Sequence, residues 1–171
     1  METFSDLLVE HIPCLRRYAR ALTGDVLQAE ELVQDCLDRA WGRMAQWEPG
    51  TNFRAWLFTI MHNQYVNALR RNSRQNGWES LDTRDPADTR RTGQDSAMDL
   101  RDLEKGLAQL SADQREVLVL VCVEGMSYEQ VAAVLGVATG TVMSRLHRGR
   151  EKLRRWMSGE HGERPTLRRV K

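Results

Sequence analysis

Apolar positions recur along this chain at steps of three and four, the period of helices packed on one face. Leu8, Ile12, Leu15, Ala19 and Leu22 form a first stripe, which Thr23-Gly24 closes. Asp25 with Gln28 three residues on has the form of a capping box opening a second helix. That helix carries Ala29, Leu32, Val33, Cys36, Leu37, Ala40, Trp41 and Met44 on a wide apolar face, and Glu31, Gln34, Asp35, Asp38 and Arg39 on the other. Pro49-Gly50 breaks the pattern with turn chemistry. A third stripe, Phe53, Trp56, Leu57, Ile60, Met61, Tyr65, Ala68 and Leu69, has Asn63, Asn67, Arg70 and Arg74 on its far side. Trp41 and Trp56 read as core residues. From residue 75 to about 100 the apolar period vanishes among polar residues with Gly77, Pro86 and Gly93, which predicts a flexible acidic linker.

Periodicity resumes near Met98 with Leu100, Leu103, Leu107 and Leu110. Ser111-Ala-Asp-Gln114 and Ser127-Tyr-Glu-Gln130 are further capping-box patterns. The first opens a helix that Gly125 ends. The second opens a short helix that stops at Gly136, and a last helix runs from about Thr139 to Trp156. No stretch alternates with the period of a strand. The expected fold is all-α: two small helical domains (1–75 and 101–158), a flexible linker (76–100), and a basic tail (159–171) that reads as disordered, with a C-terminal helix-turn-helix.

Composition narrows the class. The chain has 171 residues, 41% hydrophobic and 29% charged, as a soluble globular protein has. No apolar run approaches the ~20 residues of a membrane span, and no secretory signal is visible, so a cytoplasmic protein without membrane insertion is expected. Cys14, Cys36 and Cys122 make neither a disulfide framework nor a zinc site. No phosphate-cradling glycine loop, metal-ligand cluster or activated nucleophile is present, so no enzyme, no metal and no cofactor are expected. Net charge is only +1, but it divides into 0 over residues 1–74, −6 over 75–137 and +7 over 138–171. The basic quarter would meet a polyanion first; it would equally serve as a solvated tail.

Residues 127–148 fit a helix-turn-helix. Ala132 is small where the second helix must approach, Gly136 suits the tight turn, and Val131, Leu135, Val137 and Val142 supply apolar contacts. In the second helix Val142, Leu146, Gly149 and Leu153 share one face. Ser144, His147, Arg148 and Arg155 lie opposite, flanked by Thr141, Arg145 and Lys152. Arginine and serine suit base edges in a major groove, and flanking cations suit phosphates.

The run from Leu107 through Glu124-Gly-Met-Ser-Tyr-Glu-Gln-Val-Ala to Leu135-Gly-Val-Ala-Thr-Gly-Thr-Val-Met-Ser-Arg-Leu-His-Arg-Gly-Arg-Glu resembles region 4 of extracytoplasmic-function (ECF) sigma factors. Ala29-Glu-Glu-Leu-Val-Gln-Asp-Cys-Leu-Asp-Arg-Ala-Trp and Phe53-Arg-Ala-Trp-Leu-Phe-Thr-Ile-Met-His-Asn resemble their region 2. The resemblance implies an alternative sigma factor that binds core RNA polymerase at the clamp helices and flap and directs promoter-specific initiation. It implies polymerase contact through Glu31, Gln34, Asp35, Asp38 and Arg39, a face that without the family reads as merely solvated. It implies −10 recognition as single strand through Trp47, Asn52, Asn63, Asn67, Arg70 and Arg74. Duplex −35 recognition would fall to Thr141, Ser144, Arg145, His147, Arg148 and Lys152. Met143 stands where the family often has a basic residue, and Ala138 where it often has proline.

Promoter elements about 17 base pairs apart lie about 58 Å apart. A free coil of about 25 residues spans near 25–30 Å, and its extended limit is about 85 Å. Free domains could therefore pack together and bury their DNA faces, a form that an anti-sigma factor would clamp. The competing reading is a free-standing helix-turn-helix regulator, which would shift duplex DNA without polymerase.

Overall fold

A computed structural model describes residues 3–75 and 96–158, with side chains over 3–72 and 102–158. The described residues form helices α1 (Phe4–Thr23), α2 (Val26–Gly42), α3 (Phe53–Gln75), α4 (Ser96–Ala108), α5 (Ala112–Leu118), α6 (Tyr128–Leu135) and α7 (Thr139–Met157). A 3₁₀ turn at Met44–Gln46 follows α2, and a π-helical turn at Val119–Val123 follows α5. No strand occurs among the described residues. Most of the expected linker and the expected tail lie outside them. One boundary moves: residues 96–100, assigned to the linker, begin α4. Ser96-Ala-Met-Asp99 carries the small polar and acidic residues that favour a helix start.

Side-chain caps set the helix starts. Ser111 with Gln114 and Ser127 with Gln130 close reciprocal boxes, as expected. A third box, Thr3 with Asp6, opens α1 and holds the Asp6 carboxyl below its usual range through the Thr3 hydrogen bonds. Asp25 accepts from the Gln28 amide at 2.9 Å. Gly24 (φ 68°) and Gly136 (φ 65°) end α1 and α6 in the left-handed region, where a side chain would cost about 1–2 kcal/mol.

The first unit, α1–α3, packs around Leu15, Tyr18, Cys36, Leu57, Phe58 and Met61. Phe4, Trp47, Phe53 and Trp56 form an aromatic cluster at one end, with Phe53 and Trp47 centroids 5.0 Å apart. Trp41 departs from the core reading: it is 58% exposed, because it sits at the last turn of α2 and meets only the edge of Phe4. The second unit, α4–α7, packs around Leu110, Val117, Leu120, Val131, Val142 and Leu146.

The two units touch. α3 packs on α6, and α1 packs on α5 and the π turn. The expectation that such packing would bury the DNA faces does not hold for most of the named side chains. Asn52, Asn63, Asn67 and Arg70 stay exposed, as do His147, Arg148 and Lys152. On α3 the contact uses another side of the helix, and in the second unit it runs through α5, the π turn and α6.

Candidate nucleic-acid and polymerase surfaces

At 100° per residue, the register of α3 sets Asn52, Asn63, Asn67 and Arg70 within about 60° of arc, over some 27 Å of helix; the side chain of Arg74 lies outside the described residues. This is a polar track rather than a single pocket. Asn52 stands at its head, with Oδ1 accepting the Ala55 amide at 2.9 Å as the cap of α3. Its NH₂ remains available for a ligand. Trp47 does not present a free stacking face. Its ring is packed between Phe4 and Phe53, and its Nε1 is buried with no hydrogen-bond partner.

Beside this track a groove opens between α2 and α3. Asp35, Asp38, Arg39 and Arg43 line it from α2, and Asn63, Gln64, Asn67 and Arg71 from α3. Part of the polar face expected to meet polymerase and part of the track expected to meet DNA therefore share one depression. Gln64 Nε2 donates to the Asp35 carbonyl at 2.8 Å and ties the two helices. Glu31 and Gln34 are exposed on α2 outside the groove.

In the second unit α6 and α7 form the expected helix-turn-helix across Gly136. Val142, Leu146 and Gly149 are buried against the unit's core. Gly149 permits close approach, since a Cβ there would stand 3.4 Å from Gln114 Cβ. Opposite, Thr141, Ser144, Arg145, Arg148 and Lys152 span about 100° of arc, and His147 lies about 60° further round. Ser144 Oγ donates to the Thr141 carbonyl at 3.0 Å, leaving its lone pairs outward. Arg145 is tied to Asp113 of α5 at 2.7 Å, which discounts it as a free phosphate contact in this state. No side chain caps α7, because Ala138 occupies the cap position.

Pattern reading missed the polar contact between the units. Glu116 and Glu124 are the buried acidic residues among the described ones, and both belong to the second unit. Glu116 Oε1 accepts from the Tyr18 hydroxyl and lies 2.6 Å from His62 Nδ1. Glu124 is held by Arg17 in bidentate fashion (2.9 and 3.1 Å) and by Arg54. Every one of these partners is in the first unit. Burial, and then the Glu116 carboxylate, push the Tyr18 phenol well above its ordinary range. Arg115 adds a bond from Nη1 to the Ala21 carbonyl at 3.2 Å, and burial pushes its guanidinium down. Arg54 also lies over the Phe58 ring, 5.5 Å from its centre.

Two helical units, one with a polar track and the other with a basic helix-turn-helix, define the class: a two-region sigma-type protein. Residues 8–62 match the family model of the sigma2 domain of PhyR, and residues 100–153 match sigma-70 region 4. The chain is 37% identical over 154 residues to the ECF RNA polymerase sigma factor EcfG of Rhodopseudomonas palustris, covering 89% of this chain and 83% of that protein. Its fold resembles the sigma factor RpoE of Bartonella quintana solved with the anti-sigma factor NepR (TM-score 0.74, 36% identity, 91% and 96% of the two chains). It also resembles CnrH solved with the cytosolic domain of CnrY (TM-score 0.67, 28% identity, 92% and 88%). The chain belongs to the ECF sigma factor family of RNA polymerase. No described helix is long and apolar enough to cross a membrane.

Proposed function

We propose a division of labour across the two units. The exposed face of α2 (Glu31, Gln34, Asp35, Asp38, Arg39) docks on the clamp helices of core polymerase. The α3 track takes the −10 element as separated strand: Asn63 and Asn67 meet base edges, and Arg70 and Arg74 follow phosphates. Trp47 backs the loop before α3 rather than stacking on a base, and Asn52 holds that loop by capping the helix. In the second unit Ser144, His147 and Arg148 read the −35 duplex from the major groove, with Thr141 and Lys152 on its phosphates. Arg145 joins them only once released from Asp113. The polymerase flap takes the remaining surface of this unit.

The protein works in the cytoplasm and catalyses nothing itself; bond formation belongs to the polymerase. An anti-sigma factor holds it inactive, a reading supported by the partners named for the RpoE and CnrH structures. The observation that carries the assignment is the pair of exposed polar stripes, one on α3 and one on α7, each backed by a buried apolar face. Run-off transcription with core polymerase on a fragment pool tests it. New transcripts that depend on this chain, and vanish in Asn63→Ala and Arg148→Ala, are expected. Tight promoter binding by the chain alone, without transcripts, would instead support the free-standing regulator.

A further inference from the structure

The geometry points to Asp113 as the residue that holds down the affinity of the second unit for duplex DNA: its carboxylate takes the Arg145 guanidinium in place of a backbone phosphate, so that α7 meets a duplex with one phosphate contact fewer than its cations allow. The inference rests on the reading that α7 lies in the major groove of the −35 element, and deepens it. Thr141, Arg145, Arg148 and Lys152 share one flank of α7, within about 60° of arc. Arg148 and Lys152 are exposed and form no ion pair among the described residues. Arg145 is the cation of that flank already committed, to Asp113 of α5 at 2.7 Å.

The packing of two helices builds this pair. α5 rests its first turn on α7 at Gly149, one turn beyond Arg145, where a Cβ would stand 3.4 Å from Gln114 Cβ and 3.5 Å from the Gln114 carbonyl oxygen. The Ser111–Gln114 box fixes that turn, and Asp113 is its second residue. The carboxylate is thereby set beside Arg145 rather than reaching for it. The Arg145 side chain is 26% exposed and that of Asp113 58%, so the guanidinium is largely enclosed while its acceptor faces water. Glu151 is different. It holds Arg154 at 2.9 Å and Arg155 at 3.8 Å within α7, but both arginines are largely exposed, and pairs of that kind part at little cost.

A carboxylate and a phosphate compete for one guanidinium on nearly equal terms. A partly exposed ion pair shifts an equilibrium by at most about fivefold. Each phosphate neutralised adds about 0.9 to the salt dependence of duplex binding. The carboxylate has the advantage of being already in place, with no long side chain left to order on binding. What is withheld carries no sequence information. Phosphate contacts strengthen binding to every duplex alike, and a cognate element competes with a large excess of other sites. Keeping Arg145 on Asp113 reduces capture by non-cognate DNA without touching Ser144, His147 and Arg148.

The test measures binding of the full chain to a fluorescein-labelled, mixed-sequence duplex of about 20 base pairs by anisotropy, between about 50 and 200 mM salt. Asp113→Asn should tighten binding about fivefold at the lower salt and barely at the higher, a slope of log affinity against log salt steeper by about 0.9. Adding Arg145→Gln should cancel both changes. Asp113→Glu, which keeps the charge, should keep the wild-type slope. An unchanged slope in Asp113→Asn, whatever its melting temperature by circular dichroism, overturns the proposal. So does a gain that survives Arg145→Gln, which would reduce Asp113 to one more negative charge near DNA. The −35 reading is checked separately, with Arg148→Ala on the upstream duplex mapped by run-off transcription. A severalfold loss there, without an Asp113 effect, overturns the proposal and leaves the reading in place. Binding indifferent to Arg148 overturns the reading, and the proposal with it.

Discussion

Tyr18→Phe isolates one hydrogen bond of the contact between the units. The phenol is fully buried and gives its proton to Glu116, itself 5% exposed. The substitution removes only the hydroxyl and keeps the ring, which packs edge-on against Phe58 at 5.0 Å. Glu116 then retains His62 alone. A hydrogen bond to a charged group is worth about 1.5–3 kcal/mol net, so the variant should lose about 2 kcal/mol. For a chain of this size that lowers Tm by about 4–8 °C. Urea unfolding followed by circular dichroism measures the loss. The decisive comparison is a cycle with Glu116→Gln. If the hydroxyl acts through the carboxylate, the two losses should not add, and the coupling should exceed about 1 kcal/mol. Losses that add to within about 0.5 kcal/mol would refute the pairing and assign the cost to packing instead.

Cys36 is buried and its thiol is pushed up to about 12, by burial first. Its neutral form is favoured by folding, so this contribution is complete below pH 9 and is lost as pH rises toward 12, by up to about 1.4 kcal/mol per unit; Cys36→Ala should flatten that alkaline limb of the stability profile. At pH 8 native Cys36 should alkylate about a thousandfold more slowly than an ordinary thiol, with exposed Cys122 modified first, as mass spectrometry of a time course would show. Gly136→Ala forces a side chain into the left-handed region and should cost about 1–2 kcal/mol in thermal denaturation, without altering the exposed face of α7. Arg148→Ala should weaken holoenzyme binding to promoter duplex by about 1–3 kcal/mol and relax preference at a single base pair in a competition assay.

What the sequence disclosed, it disclosed through local rules. The capping boxes at Ser111 and Ser127, the glycine stops at 24 and 136 and the apolar stripe of α7 are each decided within a few residues, and all stand as read. Trp41 misled because an indole at the end of a helical stripe reads as core, while whether anything lies over it depends on a neighbouring helix. Trp47 shows the same limit from the other side, an aromatic in a loop that a distant Phe4 covers. Glu116 and Glu124 were invisible for a further reason. Their partners lie 54 to 107 residues away, and the π turn between them follows no residue pattern that spacing could reveal. The pairing of Arg145 with Asp113 and the capping duty of Asn52 emerged only from geometry.

The missing cap on α7 has a consequence for how binding and folding share energy. Ala138 offers no oxygen to the first turn, so the positive end of α7 keeps backbone amides without a side-chain acceptor. A backbone phosphate placed there would supply that acceptor, and the helix would be finished by its ligand rather than by its own sequence. On the proposed reading of α7, part of that helix's rigidity would be conferred by the DNA. An Asp at this position would steady the unbound protein by about 1 kcal/mol, yet its charge would stand where the phosphate belongs. A residue that looks like a small defect in the fold thus leaves a vacancy that DNA can fill.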